Sequence, residues 1–361
     1  MRKYLLTILR CTGCKGALKL QKFEGNADGV SEGKLTCKSC SAEYPVINHT
    51  PRMLPSSMMD ELVWEKYPEF VRKYGKRFKK FAGKSADSEF EKSAKTRTSK
   101  SFGFEWNEFS EMHGAYRKQF LDWMAPFKPE LFENKVVLDA GCGMGRHLLV
   151  ASEYAKEIVG IDLSEAVDAS QLNLGKRKNV HLVQADIYNL PFERVFDVVY
   201  SIGVIHHLPH PERGFRKLLK HIRKGGKIFV WIYGHEGNFV MVNFIEPFRK
   251  YFTSKLPHKV LYYLSYPITA LLELSCVFYR IANAIPLINS LAPHLPSFKY
   301  LIYISNFSFR HKLAIVFDFL SAPLARYYKK AQFERWFANA GLSPKIYHHN
   351  DNSWKGLATI S

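Results

Sequence analysis

The residues with the clearest chemical potential cluster at 136–147, VVLDAGCGMGRH, and in two cysteine pairs near the start of the chain. In the first stretch a β-branched run closes on Asp139, and Gly141, Gly143 and Gly145 alternate before a helical pattern. Glycines there let the backbone bend sharply and let a ligand approach closely. The spacing is GxGxG, neither the GxGxxG of dinucleotide folds nor GxxxxGK[ST], so a phosphate cradle is not the best reading. Three further strand candidates end in suitable groups. EIVGIDLS closes on Asp162, an acid placed to bind both hydroxyls of a ribose, with Leu163 after it. VQADIYNLPF places Asp186 to accept from an adenine amino group while Ile187 packs on the ring. FDVVYSIGVIHHLPHP carries Ser201 and leads into His206 and His207, where the reacting centre of a doubly wound sheet would lie.

These groups need a scaffold. Across 101–235, strand candidates (KVVLDAG, EIVGIDL, NVHLVQADI, FDVVYSIG, KIFVWIYG) alternate with helix candidates (HLLVASEYAKE, SEAVDASQLNLGKRK, PERGFRKLLKHIRK). Such alternation predicts a parallel sheet with helices on both faces. Taken together, LDAGCGMGRH, VGIDLS, ADIYNLPF, FDVVYSIGVIHHLPHPERGFRKLLKHIRKGG and KIFVWIYG resemble the core of the class I S-adenosylmethionine-dependent methyltransferases, type 11 branch. The resemblance covers about a hundred residues, 136–235. It implies a Rossmann-like, doubly wound, seven-stranded sheet and S-adenosylmethionine held by the Asp139 region, Gly141, Gly143, Gly145, Asp162, Leu163, Asp186, Ile187 and Ser201. The [N/D]PP[Y/F] tetrad of amino methyltransferases in this superfamily is replaced here by Ser201-Ile202-Gly203-Val204, which suits oxygen, carboxylate or carbon acceptors better. A hydroxyl acceptor needs a base, and His206 is the choice made from sequence. Packing or helix capping is the competing reading of both histidines. Tyr233, Phe104 and Trp106 are further candidates for the pocket wall.

Cys11-Thr12-Gly13-Cys14 and Cys37-Lys38-Ser39-Cys40 form CxxC-x22-CxxC. Two knuckles of this kind supply a closed, tetrahedral, all-thiolate site, hence structural zinc rather than a catalytic ion. A redox dithiol is the alternative. The surrounding YLLTILRCTGCKGALKL and KLTCKSCSAEYPVINHTPRMLP resemble the small zinc-ribbon activator that partners methyltransferases of tRNA, rRNA and release factor. That resemblance implies an activator-like module fused to its catalytic domain, serving as internal stabiliser or as substrate platform.

The domain expectation is therefore a zinc ribbon at 1–57, a basic linker or arm at 58–100, the methyltransferase core at 101–235, a helical, aromatic-rich insert at 236–330, and a closing helix, strand and tail at 331–361. The stretch 260–279 contains one charge, Glu273. Pro267 in that stretch, and Pro286, Pro293 and Pro296 in the next, argue against a membrane span. A lid over the active site is the first reading, and an interfacial helix pair docked on anionic lipid is the second. The end of the insert and the C-terminal segment resemble bacterial methyltransferases of this branch found among surface-glycan enzymes.

The 361 residues are 47% hydrophobic and 24% charged, which are globular proportions and exclude collagen-like, coiled-coil and disordered chains. The net charge of +19 attracts polyanions without choosing among them. MRKYLLTILRC has too short an apolar run for a secretory signal, so a cytoplasmic location, peripheral at the inner membrane face if the insert docks there, is expected. The acceptor expected first is a small molecule, a glycan or a lipid-linked compound, undergoing O-methylation. The alternative is RNA, with the ribbon and the basic run at 71–100 gripping tRNA. SIGVIHHL also resembles enzymes that esterify a carboxymethyl group on a tRNA wobble uridine. A non-enzymatic assembly protein is a third reading, disfavoured by the intact acids.

Overall fold

A computed structural model of the chain describes residues 1–27, 29–79, 87–286, 290–295 and 297–361. Residues 80–86 of the basic run and Pro296 lie outside the described residues. The strands are β1 (Leu18–Asn26), β2 (Gly29–Cys37), β3 (Glu43–Ile47), β4 (Thr50–Met53), β5 (Val136–Ala140), β6 (Glu157–Asp162), β7 (Val180–Ala185), β8 (Phe196–Ile202), β9 (Ile222–Tyr233), β10 (Lys345–His349) and β11 (Ser353–Thr359). They form one sheet in the order β1-β2-β3-β4-β7-β6-β5-β8-β9-β11-β10.

The seven strands from β7 to β10 are the Rossmann-like core. β5 to β9 run parallel, and β11 enters antiparallel against β9, with β10 outside it. β5, β6 and β7 are nearly all buried on both faces, which is why they read as continuous apolar runs. The strand order reverses between β5 and β8, and ligands of such sheets bind beyond the carboxyl ends at that switch point. The C-terminal segment supplies two strands, not the single strand and tail read from sequence. Asn350 and Asp351, both in the left-handed region, turn β10 back into β11.

The N-terminal ribbon does not stand apart. β4 pairs parallel with β7, Arg52 against Gln184 and Met53 against Ala185, so ribbon and core share one sheet. Arg52 is completely buried at this junction. Its guanidinium donates to Asp168 Oδ1 at 2.6 Å, Gln184 Oε1 at 3.3 Å and the Ile47 carbonyl at 3.1 Å, and lies over the Tyr67 ring. A buried guanidinium is tolerated only when its donors are satisfied in this way.

The reading of 58–100 as a linker or mobile arm is corrected. Met58, Met59, Leu62, Val63, Phe70 and Tyr74 form a small core of their own. Glu89–Glu108 is a twenty-residue helix opened by a capping box between Ser88 and Glu91. Its buried face is made of Glu91, Ala94, Lys95, Thr96, Ser99, Ser101, Gly103 and Glu105. Small and polar side chains on the inner face leave no apolar stripe for a sequence pattern to show.

In the insert, the helix His258–Ala284 packs on Phe309–Ser321 through Leu261, Leu313, Val316, Phe317 and Leu320. Ser265 and Thr269, buried along the same helix, bond back to the carbonyls four residues earlier.

Candidate functional site

A cavity of about 780 Å³ opens at the carboxyl ends of β5 to β8. The glycine turn and the Glu89–Glu108 helix border it on one side, and the insert forms the opposite wall through Val240, Met241, Ile268, Leu272 and Phe298. Its volume lies within the usual range for small-molecule sites.

The turn after β5 is shaped by sterics. Gly141, Gly143 and Gly145 have φ of 93°, 52° and 92°, in the left-handed region. A Cβ on Gly141 would fall 2.3 Å from Val204 Cγ2, so only glycine closes this turn against the loop after β8. Trp106 lies across Gly143 and borders the cavity, whereas Phe104 packs away from it against His258 and Phe317.

Of the residues expected to hold the cofactor, Gly141, Gly143, Asp162, Leu163, Asp186 and Ile187 line the cavity. Asp139, Gly145 and Ser201 do not. Asp139 is buried beneath the turn and accepts the Tyr200 hydroxyl at 2.8 Å, and burial pushes its carboxyl up to about 7. Ser201 Oγ donates to the Ala140 carbonyl at 2.8 Å. Gly145 faces Leu174 and Ser170. These three hold the turn rather than a ligand.

Asp162 Oδ2 accepts the Gly143 N–H at 3.0 Å, and Oδ1 accepts both the backbone N–H and the hydroxyl of Ser164, at 2.9 and 2.7 Å. These bonds anchor the Asp162 carboxylate at the cavity edge. Asp186 accepts the Tyr188 N–H at 2.9 Å on Oδ1 and the Lys95 ammonium at 2.7 Å on Oδ2. Burial raises both carboxyls above their ordinary range, opposed at Asp162 by Ser164 and at Asp186 by Lys95.

Lys95 escaped the sequence reading. It is buried, borders the cavity and also bonds Asp87 at 2.8 Å. The Ser88-x-x-Glu91 capping signature was the one available clue that a helix would carry it inward. Glu105, nearly three turns further on, was missed for the same reason. It is buried on the cavity wall, its Oε2 has no hydrogen-bond partner among the described residues, and burial with Asp318 nearby holds its carboxyl well above the carboxylate range. Arg146 lies over the rings of Trp106, Tyr116 and Trp123 at the same end of the cavity.

His206 as the base is corrected. Its ring is fully buried between His207 and Tyr233, at 4.2 and 4.0 Å between centroids, and does not border the cavity. Neither nitrogen has a partner among the described residues, and desolvation drives its pKa well below the ordinary value. His207 does border the cavity. Its Nδ1 donates to the Leu324 carbonyl, which leaves Nε2 as the acceptor nitrogen. Tyr233 borders the cavity too, donating to Asp318 at 3.2 Å and stacking on Tyr327.

In the N-terminal ribbon the four cysteines converge. Their sulfurs all lie within 4.8 Å of one another, with Cys14–Cys37 at 3.4 Å and Cys11–Cys40 at 3.6 Å. A tetrahedron of ~2.3 Å zinc–thiolate bonds has edges of about 3.8 Å. The donor set and its spacing fit such an ion.

Comparison with known proteins gives this geometry a class. A family model described as a methyltransferase domain matches residues 138–230, so the stretch from β5 to β9 is a methyltransferase domain on a Rossmann-like fold. The chain is also similar to the tRNA U34 carboxymethyltransferase of Pseudoalteromonas atlantica, 35% identical over 103 residues, which are 27% of this chain and 32% of that one. The protein of the same name from Vibrio cholerae is 33% identical over 124 residues, 33% of this chain and 38% of its own. The chain thus spans about a third of the length of these relatives. Among solved structures, the Burkholderia thailandensis 1,6-didemethyltoxoflavin-N1-methyltransferase aligns with 78% of this chain and 93% of its own at 15% identity and a TM-score of 0.44. The expectation of a small-molecule, glycan or lipid-linked acceptor is overturned by these curated relatives, which are named for U34 of tRNA.

Proposed function

We propose that this chain is an S-adenosylmethionine-dependent enzyme that modifies a uridine of tRNA. The observation that carries the reading is the 33–35% identity, over 103 to 124 residues, to proteins named tRNA U34 carboxymethyltransferase. The basic excess of +19 agrees with a polyanionic partner.

When bound, the sulfonium cofactor would supply an electrophilic carbon, that of a methyl or a carboxymethyl group, for in-line displacement. This chain's own residues do the rest. Gly141 and Gly143 leave room for close approach, Asp162 accepts from a ribose hydroxyl, and Asp186, held by Lys95, keeps free acceptor positions beside Ile187. A nucleobase reaches such a cavity only by leaving its stack, and Trp106 and Tyr233 offer aromatic faces to receive it. His207 Nε2 is the group placed to take a proton, and Glu105 adds a buried carboxyl to the cavity wall. The ribbon holds structural zinc in Cys11, Cys14, Cys37 and Cys40. In this reading it is an internal activator, a role supported by the shared β4–β7 edge and the buried Arg52.

The test is incubation of purified enzyme and cofactor with tRNA from a strain lacking the gene, followed by nucleoside mass spectrometry. A modified uridine is expected, and the added mass separates methyl from carboxymethyl transfer. Label appearing only outside nuclease-sensitive material sinks the reading. Binding of that tRNA should weaken linearly on a log–log plot against salt.

A further inference from the structure

The insert carries an unusual surface. Eighteen of the twenty-two large apolar side chains exposed among the described residues fall between Phe239 and Leu291. Soluble monomers rarely expose contiguous apolar patches of more than a few hundred Å². On His258–Ala284, the exposed Val260, Leu264, Leu271, Leu274, Phe278 and Ile281 recur at steps of three, four and seven residues. At 100° per residue they form a stripe about 100° wide. The buried Leu261, Ser265, Thr269 and Cys276 occupy the opposite side. Beside this helix, Phe239, Phe244, Phe248, Tyr251 and Phe252 are exposed as well.

We propose that this face docks in the plane of an anionic lipid bilayer. Charge selects the occupant. Lys250, Lys255 and Lys259, just before and at the start of this helix, are exposed and have no acidic partner among the described residues. The acids of 237–304 are Glu246 and Glu273, and Lys312 neutralises Glu273 at 2.6 Å. An apolar, aromatic face with a cationic fringe matches acyl chains bordered by anionic headgroups. A second copy laid on the same face would bring like charges together. The helix, at 27 residues and about 40 Å, is long enough to cross a bilayer. Its other face is already committed to Phe309–Ser321, so it presents one side only and lies along the surface. Lipid here is a docking surface and not the acceptor, and the inference stands apart from the tRNA reading.

The test is co-sedimentation of the full chain with vesicles of phosphatidylcholine alone or with about 30 mol% phosphatidylglycerol. Binding is expected to the anionic vesicles, weakening as salt rises. Leu271→Asp with Leu274→Asp should lower it at least tenfold, by placing two charges in the apolar boundary. Lys255→Glu with Lys259→Glu should lower it about fivefold or more per position. Circular dichroism should be unchanged, because all four side chains are exposed. Wild-type protein that stays in the supernatant with both vesicle types overturns the proposal, whatever the variants do. So does light scattering that shows a concentration-dependent dimer, dissolved by the Asp pair, in protein that does not sediment.

Discussion

Lys95 offers a direct check on the inner face of the Glu89–Glu108 helix. Its ammonium sits between Asp186 at 2.7 Å and Asp87 at 2.8 Å, with both carboxyl side chains largely buried. Replacing it with methionine keeps most of the volume and removes the charge. Asp186 must then stay ionised and unpaired, at about 3–5 kcal/mol, or take up a proton. Protonating an acid of ordinary pKa near 3.9 costs about 4 kcal/mol at pH 7 and about 1.5 kcal/mol at pH 5. The cheaper route sets the loss, so Lys95→Met should lower stability by up to about 4 kcal/mol at pH 7 and by less than half of that at pH 5. The sign follows from linkage. Without the ammonium the folded carboxyl has a raised pKa and binds more protons than the unfolded one, so stability falls as pH rises through that window. Urea unfolding of wild type and variant at the two pH values measures both numbers. A loss below 1 kcal/mol that is flat with pH would refute the buried triad, and with it the placement of this helix against Asp186.

Asp162→Ala should abolish cofactor binding in calorimetry while the four-cysteine site keeps its metal; unchanged affinity rejects that role. Asp139 has a folded pKa raised from 3.8 to about 7, so its contribution to stability declines as pH climbs between those values. Asp139→Asn should remove that slope and gain up to about 4 kcal/mol on wild type between pH 4 and 7, as urea midpoints would show. His207→Ala should lower turnover by about 10²-fold or more if Nε2 takes the proton, measured by single-turnover modification of tRNA; an unaltered rate removes it from the mechanism. Cys37→Ser should reduce bound zinc, read by metal analysis, and lower the melting temperature of the whole chain, because β4 joins the ribbon to β7 of the catalytic sheet. A melt unchanged despite metal loss would separate ribbon from core.

Much of this protein was legible in short stretches of sequence. The β5 turn is fixed locally, because alternating glycines after a β-branched run can only bend, and the acids closing β6 and β7 fall at the sheet edge by counting. The cysteine knuckles are likewise local, and their convergence follows from spacing. What the tertiary structure decided depended on partners far along the chain. Asp139 and Ser201 sit in motif positions, yet Tyr200 and the Ala140 carbonyl claim them. His206 and His207 are adjacent and alike in type, and only the packing of Tyr233 and Leu324 determines which one reaches the cavity. Lys95 fell within the run read as a basic linker and Glu105 just beyond it, because a helix that turns polar groups inward shows no apolar period. Burying the Lys95 ammonium is tolerable only where Asp87 and Asp186 stand ready for it. Local pattern records which surface a segment can bury, whereas the partners that make a buried charge tolerable come from elsewhere in the chain.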